Sequence, residues 1–377
     1  MHYNDLLMVS RRRFLFSSAA GVAGCRPRRG SGFPGYAFVT SQESKALAVV
    51  DLTAFAVARH IPLGASPAEV VANPSRHCVY ALTPLTGTLH EIDPRQLTVR
   101  RRVRIAQRPA SMRLAPGGEV LWVSCAEPNQ IVRVALDRFQ TDLRLPLPAR
   151  PAGFDLTSDG RIGAVTHGAE GSVSFLDLAA GRVRGTVHAG DDTGEVRFRL
   201  DGEIALVADL GQRLICVLDT ATGKLITNLQ IAVKPEHFCF KPDGGEMFVT
   251  GEGMDAVVVV NPYYTEVAET VLVGRAPGAM AVSRSPQYLF VANPPTGDVT
   301  ILDPEARRVV AVVAVGSDPS YVTLTPGDEY ALVLNRRSGT MALVRPAAVV
   351  ARRAREAALF TTIPVVSRPL NAAVLAV

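Results

Sequence analysis

Seven histidines (His2, His60, His77, His90, His167, His188 and His237) and five cysteines (Cys25, Cys78, Cys125, Cys216 and Cys239) are the side chains best able to carry acid–base, nucleophilic or metal chemistry. Their spacing assembles no catalytic motif. Gly171-Ser172-Val173-Ser174 is followed by Phe175, and no GxSxG nucleophile elbow occurs. There is no CxxC, no CxxCH and no Cys/His pair at zinc spacing, so no metal ligand set is assigned. The lack of CxxCH excludes covalent c-type haem alone. Neither a Walker motif nor a dinucleotide fingerprint is present. Four cysteines lie in apolar runs such as His77-Cys78-Val79-Tyr80 and Leu214-Ile215-Cys216-Val217, and read as buried thiols. One disulfide stays open as an alternative if the chain reaches an oxidising compartment.

Any site must therefore be assembled from residues far apart in the chain, by elements that repeat. The tetrad Phe38-Val39-Thr40-Ser41 recurs at a step of 42 residues through Tyr80-Ala81-Leu82-Thr83 and onward to Leu332-Val333-Leu334-Asn335. Eight tetrads follow one another without an insertion. Two more columns keep the same step. Asp51 maps onto Asp93, Ala135, Asp177, Asp219, Asn261, Asp303 and Arg345; Pro67 maps onto Pro109, Pro151, Thr193, Pro235, Pro277 and Pro319. The next proline, Pro369, comes late, which places an insertion around 347–359, Ala/Arg-rich enough for a short helix. Each unit holds four strand-like runs separated by turn residues; in the sixth these are 237–240, 247–250, 256–260 and 266–273. A period near 42 with four strands per unit predicts an all-β fold, a β-propeller of eight four-stranded blades. Seven blades is the alternative. The first unit lacks an inner strand and the last has a surplus one, Leu370 to Val377. The C-terminal strand is therefore expected to close the ring by completing the first blade.

In such a ring the strand after each proline lines the axis. Counting from the proline, the third and fifth residues are apolar and pack between blades, while the second and fourth face the channel. The channel side then carries Glu69, Arg113, Asp155, Glu195, Arg197, His237 and Tyr321. Its mouth is ringed by Arg108, Arg150, Lys234 and Arg368, just before the prolines. Basic side chains in that setting supply charge-assisted hydrogen bonds to a small polar or anionic ligand, and Glu195, His237 and Tyr321 would orient it. The competing expectation is a water-filled channel whose charges pair among themselves. His167 falls in a loop on the same face.

The N-terminus reads as an address. Ser10-Arg11-Arg12-Arg13-Phe14-Leu15 resembles a twin-arginine export signal, and Val22-Ala23-Gly24-Cys25 resembles a bacterial lipobox, in which Cys25 would carry the lipid. The stretch between is too short to span a bilayer. Residues 1–25 are read as leader, 26–35 as tether and 36–377 as one propeller domain. The implied location is the periplasm or the outer membrane, with the membrane as partner through the lipid at Cys25.

The columns are similar to the YVTN-type (YncE-like) propeller repeats of exported bacterial proteins, in which a Tyr-Val-Thr-Asn-like strand precedes a VxDxxT strand. Val291-Ala292-Asn293 with Ile301-Leu302-Asp303, and Val249-Thr250 with Val259-Val260-Asn261, carry the resemblance. It covers nearly all of the expected mature chain. It implies a propeller and leaves activity open. Among related propellers are lactonases and the eight-bladed haem d1 domains of nitrite reductases. A catalytic reading would make His237 or His167 a base or haem ligand, with Arg113 and Arg197 holding carboxylates.

Composition agrees with this architecture. Of 377 residues, 47% are apolar, which exceeds what a disordered chain carries. The 31 glycines and 26 prolines exclude a coiled coil. No apolar run reaches the roughly 18–20 residues of a membrane-spanning helix. The net charge is +5, with four lysines and many arginines spread along the whole chain, so no nucleic-acid partner is expected. The expected protein is a monomeric, non-catalytic binding or protein-interaction scaffold, with a small polar or anionic ligand or an envelope protein as partner. No cofactor is required by the sequence. Alternatives are a lactonase-like or haem d1-like propeller, and an interaction protein that uses its blade rims.

Overall fold

Turn chemistry decides where each strand ends. Asp51 Oδ1 accepts the backbone N–H groups of Thr53 and Ala54 at 2.7 and 2.9 Å; Asp93, Asn261 and Asp303 do the same for their own hairpins, and Asp177 accepts that of Ala180. The Asp column of the sequence is thus a row of Asx turns, one per outer hairpin. Four residues after it the backbone takes a positive φ, as at Phe55 (56°), Leu97 (53°), Thr265 (56°) and Arg307 (49°). Each outer hairpin carries a register shift beside that turn. The bulge bends the outer strand and increases its twist.

A computed structural model describes residues 32–285, 287–350 and 358–377. The leader, Cys25, most of the tether and the centre of the insertion, residues 351–357, lie outside the described residues. Among the described residues there are eight antiparallel sheets of four strands each. Seven are consecutive meanders. The second blade, for example, runs Glu69–Asn73, Cys78–Thr83, Thr88–Asp93 and Thr98–Arg104, from the axis outward. The sixth runs His237–Phe240, Met247–Thr250, Ala256–Asn261 and Glu266–Leu272, within a residue of the strands read from sequence.

The first blade is the exception. Its inner strand is the C-terminal Pro369–Ala376, paired antiparallel with Gly35–Ser41 so that Tyr36 faces Leu375 and Phe38 faces Ala373. The ring therefore closes through the tail, with eight blades. The inner strands of successive blades touch in order around the axis, and the strand Pro369–Ala376 touches the next inner strand, Glu69–Asn73. The short helix Pro346–Val350 opens the insertion after the eighth tetrad.

Blade faces bury each other. Phe38, Leu47 and Val49 of the first blade pack on Val70, Val79 and Ile92 of the second, all within one core cluster. Each such side chain contributes roughly 1.5–3 kcal/mol by leaving water. Cys78, Cys125 and Cys216 are buried free thiols, and Cys239 is half-buried and also free. Burial pushes the Cys125, Cys216 and Cys239 thiols up to about 12, the last despite neighbouring Arg197, so none is a ready nucleophile.

Candidate axial binding site

An inner strand leaves one row of backbone N–H and C=O groups unpaired toward the axis, and these must find partners. In four blades a channel side chain of the preceding inner strand supplies the partner. Glu69 Oε2 accepts the Met112 N–H at 2.5 Å, Asp155 Oδ2 accepts that of Phe198 at 3.1 Å, and Glu195 Oε2 accepts that of Phe238 at 2.9 Å. Across the closure Asn371 Oδ1 accepts the Val70 N–H at 3.2 Å. These side chains peg one blade to the next.

The arginines complete the pegs. Arg113 lies 3.4 Å from Glu69 and donates to its neighbour, the Met112 carbonyl, at 2.9 Å. Arg197 binds Glu195 at 2.7 Å and lies 3.6 Å from Asp155. Burial opposes the charge on Arg197, but Glu195 and Asp155 outweigh it and raise its pKa. Burial pushes Glu69 up to about 6, against the pull of Arg113 and of the Met112 N–H. Burial, and then the nearby Glu69 charge, raise Tyr321, whose hydroxyl donates to the Ala372 carbonyl at 3.2 Å. Glu69, Arg113, Asp155, Glu195, Arg197 and Tyr321 are thus brought to the inner strands, as their spacing requires, and each is engaged by protein, although the buried Arg113 Nε has no hydrogen-bond partner among the described residues.

The mouth differs. Arg108 pairs with Glu127 at 2.9 Å, Arg368 with Glu43 at 3.4 Å and Lys234 with Glu236 at 3.7 Å, all in contact with solvent. A Ser367 hydroxyl bond holds Glu43 below the usual carboxylate range. Arg150 is exposed and forms no ion pair among the described residues. His237 is exposed on its inner strand, three residues after Lys234. The loops that follow the tetrads open on this same face, because Glu43, Glu127 and, through Arg336, Asp318 link them to the residues preceding the inner strands.

His167 sits elsewhere than a site would need it. It is buried, and its Nε2 bonds Ser174 Oγ at 2.7 Å, which in turn bonds Thr186 Oγ1 at 2.8 Å. Burial lowers its pKa, while the carbonyls of Arg150 and Ala149 act the other way. His90 repeats the pattern two blades earlier, bonding Thr83 Oγ1 at 3.0 Å. Burial, and then Arg102, lower His90 to about 4. These histidines are rungs inside blades. Spacing alone overlooked the tetrad hydroxyls: Thr166 and Thr250 donate to the Gly194 and Gly278 carbonyls of the following inner strands at 2.6 and 2.7 Å. The signal was a buried Thr in the third tetrad column. No group of three or more His, Cys, Asp or Glu side chains is gathered to hold a metal among the described residues.

No protein family matches the sequence, and no curated protein matches it. Solved structures do match the fold. A dihydro-heme d1 dehydrogenase, NirN, in complex with DHE superposes with a TM-score of 0.72 at 13% identity, over 90% of this chain and 75% of that one. Kuenenia stuttgartiensis hydrazine synthase gives 0.59 at 19% identity, over 74% of this chain and 96% of that one. A functionally unknown protein from Desulfotomaculum acetoxidans gives 0.60 at 15% identity, over 77% and 98%. At these identities the likeness is one of fold: this chain is an eight-bladed β-propeller.

Proposed function

We propose that the chain is an exported, lipid-anchored β-propeller of the YVTN type, with residues 1–25 as leader and 26–35 as tether, that binds a small polar or anionic ligand at the mouth of its channel without transforming it. One contrast carries the reading. The charged groups deeper in the channel are engaged by neighbouring blades, whereas exposed Arg150 and His237 and half-buried Lys234 stand at the entrance, Lys234 held only by a weak surface pair. An anion there gains charge-assisted hydrogen bonds without breaking a buried ion pair. The test is a thermal-shift screen of the full chain against phosphate, small dicarboxylates and haem. A stabilising compound should lose its effect in the Arg150→Ala/His237→Ala variant, while the unliganded melting temperature stays put. Full stabilisation of that variant would remove the mouth as the site.

A second reading is a haem-like tetrapyrrole bound at the same mouth. The likeness to NirN, solved with DHE and spanning 90% of this chain, favours it. His237, exposed on an inner strand, would be the axial ligand, and Arg150 and Lys234 would meet propionates. His167 is withdrawn from that role by its bond to Ser174. A Soret band after reconstitution, lost in His237→Ala, separates this reading from the first.

A further inference from the structure

Propeller outer strands present an unpaired edge, and their side chains decide what that edge meets. Four of the seven residues in Thr98–Arg104 are arginines. Arg101 turns toward the third blade, binding Glu91 at 2.6 Å and the Leu136 and Asp137 carbonyls at 3.1 Å. Arg100 is tied to Asp93 at 2.6 Å, yet half of its side chain remains exposed. Arg102 and Arg104 are exposed and form no ion pair among the described residues. Arg59, on the outer strand of the first blade, reaches across to the Gln96 carbonyl at 3.4 Å and is exposed as well. The adjoining acids, Glu91 and Asp93, are already used by Arg100 and Arg101. Opposite in character, the outer strand Glu266–Leu272 carries two glutamates and no cation, and Leu225–Gln230 carries no charge. Charge thus differs from blade to blade along the rim, the four arginines of Thr98–Arg104 being its densest basic run, against two in Arg182–His188.

We infer that the rim of the first two blades is a docking surface for an anionic phospholipid bilayer. Two observations choose this occupant. The first is charge: a row of arginines on one rim is complementary to acidic headgroups, each cation near such a surface being worth about 1 kcal/mol. The second is where the described chain begins. Gly32 lies against Leu52 and Thr53 of the first blade, on the side that packs against the eighth, and the same blade's outer edge carries Arg59. Six residues separate it from Cys25, a reach of at most about 25 Å, and three of them are arginines. A lipid on Cys25 would hold this edge within reach of the bilayer. The choice of lipid over another polyanion rests on the proposed anchor.

The experiment uses the full chain with vesicles of phosphatidylglycerol and phosphatidylcholine, or of phosphatidylcholine alone. Amide exchange should slow severalfold at Thr98–Arg104 and Ala56–Pro62 on the acidic vesicles, and stay unchanged at Leu225–Gln230 and Glu266–Leu272. Arg59→Gln/Arg102→Gln/Arg104→Gln should weaken partitioning by about tenfold or more. Lack of protection at Thr98–Arg104, equal binding to neutral vesicles, or displacement by duplex DNA at equal phosphate concentration would overturn the proposal. The exchange measurement needs no variant, so a misfolded triple substitution leaves a decision. Mass spectrometry of Cys25 in exported protein reads the anchor separately. An unlipidated Cys25 with rim protection intact fails the anchor and keeps the surface.

Discussion

Glu195 bridges two blades: one oxygen accepts the Phe238 N–H at 2.9 Å while the other holds Arg197 at 2.7 Å. The same carboxylate thus satisfies an inner-strand donor and neutralises a channel cation. Glu195→Ala leaves both without that partner. The expected cost is about 2 kcal/mol of unfolding free energy, and Glu195→Gln, which retains an acceptor, should recover part of it. Denaturant titration of the three proteins checks this. Equal stability of the Ala variant would mean that water replaces the peg without loss.

The pH dependence of stability contains two opposed contributions. Burial raises Glu69 from 4.5 to about 6, so the folded state holds the extra proton. That contribution is fully present below about pH 4.5 and lost as pH rises through 6. Burial lowers His90 from 6.5 to about 4, so its contribution is present above about pH 6.5 and lost as pH falls toward 4. Between about pH 4.5 and 6 the two slopes cancel, each near 1.4 kcal/mol per pH unit. Glu69→Gln should unmask a loss of stability on acidification in that window, relative to the parent. His90→Gln should unmask a gain. Denaturation midpoints across the window read both signs.

Closure by the tail makes the last residues structural. Removing Leu370–Val377 deletes the inner strand of the first blade, the Asn371 bond to Val70 and the Tyr321 bond to Ala372. The truncated chain should fail to fold or melt at least about 10 °C lower, since a loss of several kcal/mol moves the midpoint by that much in a domain of this size. Circular dichroism melting decides it, and an unchanged transition would contradict the closure.

Thr265 holds φ at 56° in the outer hairpin of the sixth blade, a region costly for a β-branched residue. Gly181 and Gly223 occupy the equivalent place in two other blades, at 66° and 72°. Thr265→Gly should therefore be neutral or stabilising by up to about 1 kcal/mol, against the usual penalty for a glycine. Denaturant titration checks the sign.

Much of the fold was legible in the chain because each blade is a local meander, and local turn chemistry writes itself as columns. The Asp column marks Asx turns, the proline column marks inner-strand starts, and the late Pro369 marks the closing strand. The site was legible as a set of axial positions, and only that far.

What the sequence by itself determined is the period, hence eight sheets, their strand order and which alternate residues line the axis. Tertiary structure decided which of those residues stay available to a ligand. Glu69, Asp155 and Glu195 each bind a backbone group 43 residues ahead, on the next blade. Such a bond depends on how neighbouring sheets are stacked, and no run of adjacent residues records that stacking. His167 was withdrawn into a hydrogen-bonded ladder, and Arg59 of the first blade was brought beside the second, for the same reason: alternation chooses a face of the strand, while the packing of whole blades chooses what that face meets.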